Sequence, residues 1–205
     1  VSRLLAVSCL LVSASALDAA TICVHPTEAG CFRRIQQGVD AAQPGDLVQV
    51  GPGVYAENVT VPAAKDHLRL EGAGPQLTIV DPVPLNTGAG FTIYALGVEL
   101  RGFRVRAGSS SVRLDGDAKG VTIQGMRLLG ARLDSAIEVG GADATQILDN
   151  EIRGANWSAI ELGFQCLECV VAGNRISNAR GGIEGERADG LEVRGNEIVG
   201  TRVAG

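Results

Sequence analysis

Polar and apolar residues alternate through five copies of one nine-residue phrase in the second half of the chain. Gly97-Val98-Glu99-Leu100-Arg101-Gly102-Phe103-Arg104-Val105 is the first and Gly120-Val121-Thr122-Ile123-Gln124-Gly125-Met126-Arg127-Leu128 the second; the others begin at Ala144, Glu168 and Gly190. Successive starts lie 23, 24, 24 and 22 residues apart. Alternation marks strands with one buried face. A near-constant period marks a solenoid, in which each repeat buries its apolar side only against its neighbours. The pattern predicts that Leu100, Ile123, Ile147, Val171 and Val193 stack in one buried column, with Val98, Val121 and Leu191 in a parallel one.

A second alternating element follows each phrase: Val112-Arg113-Leu114, Ile137-Glu138-Val139, Ile160-Glu161-Leu162 and Ile183-Glu184-Gly185. Each rung therefore has at least two strands, joined by corners rich in Gly and Asn, which tolerate positive φ. Upstream, Phe32, Ile35, Val39 and Ala42 fall at helical spacing, and Gln43-Pro44-Gly45-Asp46 stops that helix. Leu47–Val50, Asn58–Val61, Leu68–Leu70 and Leu77–Val80 read as strands. The expected organisation is a secretory leader over residues 1–20, a capping segment over 21–46 and a solenoid over 47–205. The phrase at Gly190 runs into what looks like the next strand with no capping segment after it, so the solenoid is expected to continue beyond residue 205.

The leader reading rests on Arg3, the uncharged run Leu4–Leu17 and the small residues Ala14-Ser15-Ala16; the run is too short to span a bilayer. It implies a secreted, periplasmic or cell-surface protein with no membrane span in the mature chain. A net charge of −5 argues against a nucleic-acid partner, where a basic stripe is expected. Four cysteines remain after the leader. An even number in an exported chain favours disulfides; Cys23 and Cys31 bracket a short loop and are expected to pair. Cys166 and Cys169 form a CxxC without the βαβ context of a redox motif or the second ligand pair of a zinc site, which leaves a local disulfide as the expectation.

The stretch Ile35-Gln36-Gln37, Asp40-Ala41-Ala42-Gln43-Pro44-Gly45-Asp46 and Gly53-Val54-Tyr55-Ala56-Glu57-Asn58-Val59 resembles the opening of pectate-lyase-like proteins. Gly173-Asn174-Arg175-Ile176 and Gly195-Asn196-Glu197-Ile198 are similar to the repeat of that superfamily. The resemblance covers roughly residues 32–205. It implies an all-β fold, a right-handed parallel β-helix with a short N-terminal capping helix. It implies no single activity, because the scaffold serves lyases, hydrolases, esterases and non-catalytic modules.

Arg113, Glu138, Glu161 and Glu184 are spaced 25, 23 and 23 residues apart, which stacks them on adjacent rungs. Stacked carboxylates repel, and a bound Ca²⁺ relieves this; the related lyases hold Ca²⁺ on acidic residues beside an arginine base. The column is thus a candidate catalytic set (Glu161, Glu138, Glu184 and Arg113) and a candidate metal site (Glu138, Glu161 and Glu184), against the plain reading of a solvated face. Trp157, near Glu161 and Phe164, is a candidate sugar-stacking platform or a packed corner residue. Asp115-Gly116-Asp117 reads as a turn. A second column, Arg104, Arg127, Glu151, Arg175 and Glu197, mixes signs, alternating from Arg127 onward, and reads as structural, as does the ladder Asn150, Asn174 and Asn196.

Gly53-Val54-Tyr55-Ala56-Glu57 resembles one pectin-methylesterase motif. That family's Asp-Phe-Ile-Phe-Gly and Leu-Gly-Arg-Pro-Trp segments are absent, so Glu57 reads as a turn residue. Two histidines, His25 and His67, make a Ser/His/Asp arrangement improbable. The reading is a secreted β-helix that binds or processes polysaccharide, such as a cell-envelope glycan, along one face. If an enzyme, it is a polysaccharide lyase-like or related carbohydrate-active one. The alternative is a non-catalytic envelope or cell-surface module.

Overall fold

The computed structural model describes residues 19–83, 88–106, 108–116, 118–163, 166–187 and 189–202. All but the last two leader residues, together with Asp117 and Phe164, lie outside them. The chain forms a parallel β-solenoid of about 7 turns. Its strands, numbered in chain order, fall into three sheets.

The first sheet holds β1 (Thr21–Val24), β2 (Leu47–Val50), β5 (Arg69–Gly72), β8 (Glu99–Arg101), β11 (Thr122–Gln124), β14 (Gln146–Leu148), β17 (Val170–Ala172) and β20 (Glu192–Arg194). The second holds β3 (Gly53–Tyr55), β6 (Thr78–Val80), β9 (Arg104–Arg106), β12 (Arg127–Leu129), β15 (Glu151–Arg153), β18 (Arg175–Ser177) and β21 (Glu197–Val199). The third holds β4 (Val59–Val61), β7 (Phe91–Ile93), β10 (Val112–Leu114), β13 (Ile137–Val139), β16 (Ser158–Leu162) and β19 (Gly181–Gly185).

Each rung carries three strands, because the repeated phrase is two strands rather than one. Its sixth residue turns the corner: Gly102, Gly125, Asp149, Gly173 and Gly195 all have positive φ, between 54° and 75°. Only this left-handed step bends the chain from the first sheet to the second within two residues. The predicted columns form except at the last described rung, where Val193, expected to be buried, is 49% exposed because no further described strand covers it. Leu100, Ile123, Ile147, Val171 and Val193 are in register along the first sheet, and the first four are fully buried. Val98 and Val121 are buried as well, and Leu191 packs against the core.

At the corner, Asn150, Asn174 and Asn196 form the expected ladder. The Asn150 amide Nδ2 donates to Asn174 Oδ1 at 2.9 Å and to the Ile123 carbonyl at 3.0 Å; Asn174 repeats this one rung on, toward Asn196 Oδ1 and the Ile147 carbonyl. Phe103 and Met126 hold the same place in earlier rungs, where Phe103 packs on Phe91 at 5.2 Å between ring centroids.

The capping helix α1 (Ile35–Ala41) turns Ile35, Gly38 and Val39 inward. Phe32, expected on the same face, precedes the helix and is exposed. Glu57, read from sequence as a turn residue, has a different role. It is buried, and its carboxylate accepts from the backbone N–H of Ile35 at 2.7 Å and of Gln36 at 3.1 Å, filling the open N-terminus of α1. Gln36 adds a two-way clamp to Thr60 on β4, through Nε2 to the carbonyl and Oε1 to the N–H. Cys23–Cys31 is a disulfide, as expected, and so is Cys166–Cys169.

Replacing Asn174 with Ala strands the Asn150 N–H and the Ile147 carbonyl, both buried; the expected loss is about 2–4 kcal/mol, read from the urea midpoint. Reducing Cys23–Cys31 is expected to cost about 2.5 kcal/mol by loop-closure entropy for a loop this short. Burial first, and the Glu57 charge second, push the Tyr55 phenol up from 10.0 to about 12. The folded state therefore holds that proton more tightly than the unfolded one. Its contribution to stability is full below pH 10 and is lost as pH rises to about 12. Phenolate absorbance during alkaline titration should show one late-ionising tyrosine.

Candidate functional site

Side chains alternate along a strand, so each third-sheet strand turns one residue outward between two inward ones. In register, the outward residues are Thr60, Thr92, Arg113, Glu138, Glu161 and Glu184. The four charged residues expected to stack do stack.

Their neighbours treat them differently. Arg113 Nε lies 2.5 Å from Glu138 Oε2, and this bond, more than any other contact, raises the guanidinium pKa further above its usual value. An arginine held protonated in this way is poorly suited to the base role that the resemblance implies. Glu161 accepts a 2.7 Å hydrogen bond from the hydroxyl of Ser135, a fully buried residue. Glu184 is exposed and has no hydrogen-bond or ion-pair partner among the described residues. Unit charges one rung apart, about 4.8 Å, repel by roughly 1 kcal/mol in water and roughly 3.5 at an effective dielectric of 20. Arg113 offsets this at one end of the strip, whereas Glu161 and Glu184 have no ion-pair partner among the described residues.

The Ca²⁺ that the resemblance implies does not fit this arrangement. Ca²⁺ takes six to eight oxygens around one point, whereas these carboxylates are spread along three rungs and Glu138 is already engaged by a cation. Among the described residues, the one group of three ligand residues whose donor atoms lie within 4.8 Å of one another is Cys23, Glu28 and Cys31. Its two sulfurs are tied in a disulfide.

Two concavities border the strip. One, of about 310 Å³, is lined by Arg113, Asp115, Glu138 and Glu161 among others. The second, of about 130 Å³, is lined by Trp157, Ser158, Arg180, Gly181 and Glu184. Trp157 thus shares a cavity with Glu184 rather than with Glu161. It is 47% exposed, and the Arg180 guanidinium lies 4.6 Å over its ring centroid, a cation–π contact that fixes the indole.

Sequence reasoning missed a column that runs beside the glutamates. Ser110, Ser135, Ser158 and Gly181 are spaced 25, 23 and 23 residues apart, the intervals of the charged column. Ser158 pairs in register with Gly181, and all four are buried. The equal intervals were the available signal.

On the second sheet the mixed-sign column pairs along the axis as expected. Arg127 Nε reaches Glu151 at 3.1 Å and Arg175 Nε reaches Glu197 at 3.1 Å, while Arg153 shares Glu151 at 2.7 Å. Arg104 has Gln76 instead of a carboxylate.

No protein-family profile matches the chain. Pectinesterase 10 of Arabidopsis thaliana, a candidate pectinesterase by its name, is 33% identical over 91 residues; the match takes in 41% of this chain and 27% of that protein. Among solved structures, a pectin methylesterase variant in complex with a hexasaccharide aligns with a TM-score of 0.63 at 14% identity, over 80% of this chain and 56% of that one. An alginate lyase from Paenibacillus aligns at 0.61 and 15%, over 86% and 75%. The catalytic domain of a GH87 α-1,3-glucanase in complex with nigerose aligns at 0.60 and 14%, over 88% and 32%. These likenesses establish the architecture: the protein is a right-handed parallel β-helix. No described helix is long and apolar enough to cross a membrane.

Arg113→Ala should lower stability by about 1 kcal/mol at low salt and by less at high salt, since the pair is partly exposed and screened. Thermal melts at two ionic strengths would read this.

Proposed function

We propose that the protein binds polysaccharide along the outward face of the third sheet, outside the cytoplasm. The observation that carries this reading is the in-register strip Arg113, Glu138, Glu161 and Glu184 with a fixed, half-exposed Trp157 beside it. A parallel β-helix presents such a strip as a straight shelf. Stacked carboxylates can accept hydrogen bonds from successive sugar hydroxyls, and an indole edge or face suits the C–H surface of a pyranose. The same architecture in the hexasaccharide-bound pectin methylesterase and the nigerose-bound glucanase supports a glycan ligand. The two disulfides suit an oxidising compartment.

Glu161 and Glu184, one rung apart, could also exchange a proton at a glycosidic oxygen. Arg113 is engaged with Glu138, which favours binding over lyase-type cleavage. The candidate set therefore divides. Trp157, Glu161 and Glu184 contact ligand, while Arg113 positions Glu138.

Oligosaccharide panels containing neutral, amino and uronic sugars, assayed by calorimetry and by product release with and without Ca²⁺, test the reading. Trp157→Ala should weaken binding of any recognised glycan by about tenfold and Glu161→Gln by a smaller factor, with the fold intact. A wild-type protein that neither binds nor cleaves any member of the panel would overturn it.

A further inference from the structure

We infer that the hollow floored by Gly140 and Gly163 is a second sugar subsite of the third sheet, with Tyr94 as its aromatic contact, and that it takes an uncharged, hydroxyl-rich sugar rather than a uronate. The inference rests on the third-sheet face being a glycan shelf and assigns the chemistry of the ligand.

Two residues beyond the charged column, the alternation turns the chain outward again. The backbone N–H groups of Tyr94, Asp115, Gly140 and Gly163 donate to the carbonyls of Val61, Ile93, Leu114 and Val139 one rung before, so the four stand in a second outward column. Its first two members carry side chains and its last two carry none. The floor beyond Asp115 is therefore bare backbone, and the cavity of about 310 Å³ lies over it, bordered by Arg113, Asp115, Glu138 and Glu161.

Tyr94 stands at the head of this column. It is 39% exposed, and its ring leans toward the next rung, where a Cβ on Gly116 would meet its Cδ1 at 3.8 Å. Tyr94 follows β7, whereas Trp157 precedes β16, three rungs on and about 14 Å further along the axis. The two exposed aromatics thus bracket the charged strip from opposite edges of the sheet. An oligosaccharide touching both crosses the strands obliquely.

The charges at the hollow select against an acidic sugar. Glu138 holds Arg113 and Glu161 accepts from Ser135, so neither calls for a cation. Their remaining lone pairs can accept from sugar hydroxyls. Arg113 is the one cation among the lining residues, against Asp115, Glu138 and Glu161, and it is already bonded to Glu138. A uronate carboxylate placed there meets like charge. The C–H face of a neutral pyranose can lie on the Tyr94 ring without that cost.

The test is calorimetry on the whole chain at low and high salt. The neutral probes are hexamers of β-1,4-linked glucose, mannose and xylose and of α-1,3-linked glucose; the acidic ones are hexamers of β-1,4-linked glucuronate and α-1,4-linked galacturonate. The tightest neutral hexamer should bind about tenfold more tightly than either uronate, and salt should narrow the gap. Tyr94→Ala should weaken it about fivefold, and Tyr94→Phe should restore it, because the ring rather than the hydroxyl makes the contact. Gln146→Ala, on the first sheet, should leave binding unchanged. A uronate hexamer that binds as tightly as the best neutral one overturns the inference, and so does a neutral hexamer indifferent to Tyr94→Ala. If Trp157→Ala still weakens the ligand in either case, the glycan shelf stands without this subsite. If no hexamer binds, both fall.

Discussion

Strand pairing holds successive rungs of this protein about 4.8 Å apart, and parallel register sets each side chain over its equivalent one turn away. Whatever a position carries is therefore repeated against itself along the axis. Apolar columns gain from this. Val48, Leu70, Leu100, Ile123, Ile147 and Val171 stack in register and are fully buried. Amide columns gain as well, because an Asn can both donate to and accept from its copies: Asn174 accepts from Asn150 and donates to Asn196. Charged columns lose unless their signs alternate.

The two charged faces answer that constraint in opposite ways. From Arg127 onward the second sheet alternates arginine with glutamate, so Arg127 pairs with Glu151 and Arg175 with Glu197 on neighbouring rungs. The third sheet stacks three glutamates under a single arginine. Glu138 takes the arginine and Glu161 a serine hydroxyl, while Glu184 keeps an open carboxylate beside an unpartnered Ser158. A face whose repulsion is left uncompensated at one end is a face that a ligand can complete. That asymmetry, rather than the acidic composition as such, distinguishes the third sheet.

The N-terminal end shows the same economy of partners. Helix α1 has seven residues, too few to be stable alone. Its free N–H groups are met by Glu57 and its body is tied to β4 by Gln36 and Thr60. The cap is thus bonded to the rung it covers, and the strand β1 that precedes it extends the first sheet by one strand.

The sequence alone determined what the backbone repeat dictates: the period, the buried columns, the asparagine ladder, the stacking of Arg113 over Glu138, Glu161 and Glu184, and the pairing of nearby cysteines. These follow from spacing, since a residue's height and face are fixed once the rung length is known. It did not show that the phrase is two strands, because positive φ at Gly102 and Gly125 also occurs at Asp149, where no glycine announces a corner. Nor did it show which partners the side chains choose. Glu57 reaches α1 across 22 residues, Ser135 reaches Glu161 across 26, and Arg180 turns onto Trp157 rather than toward Glu184. Long flexible side chains select among several acceptors within reach. Only the packed tertiary structure, where each choice excludes another, decides between them.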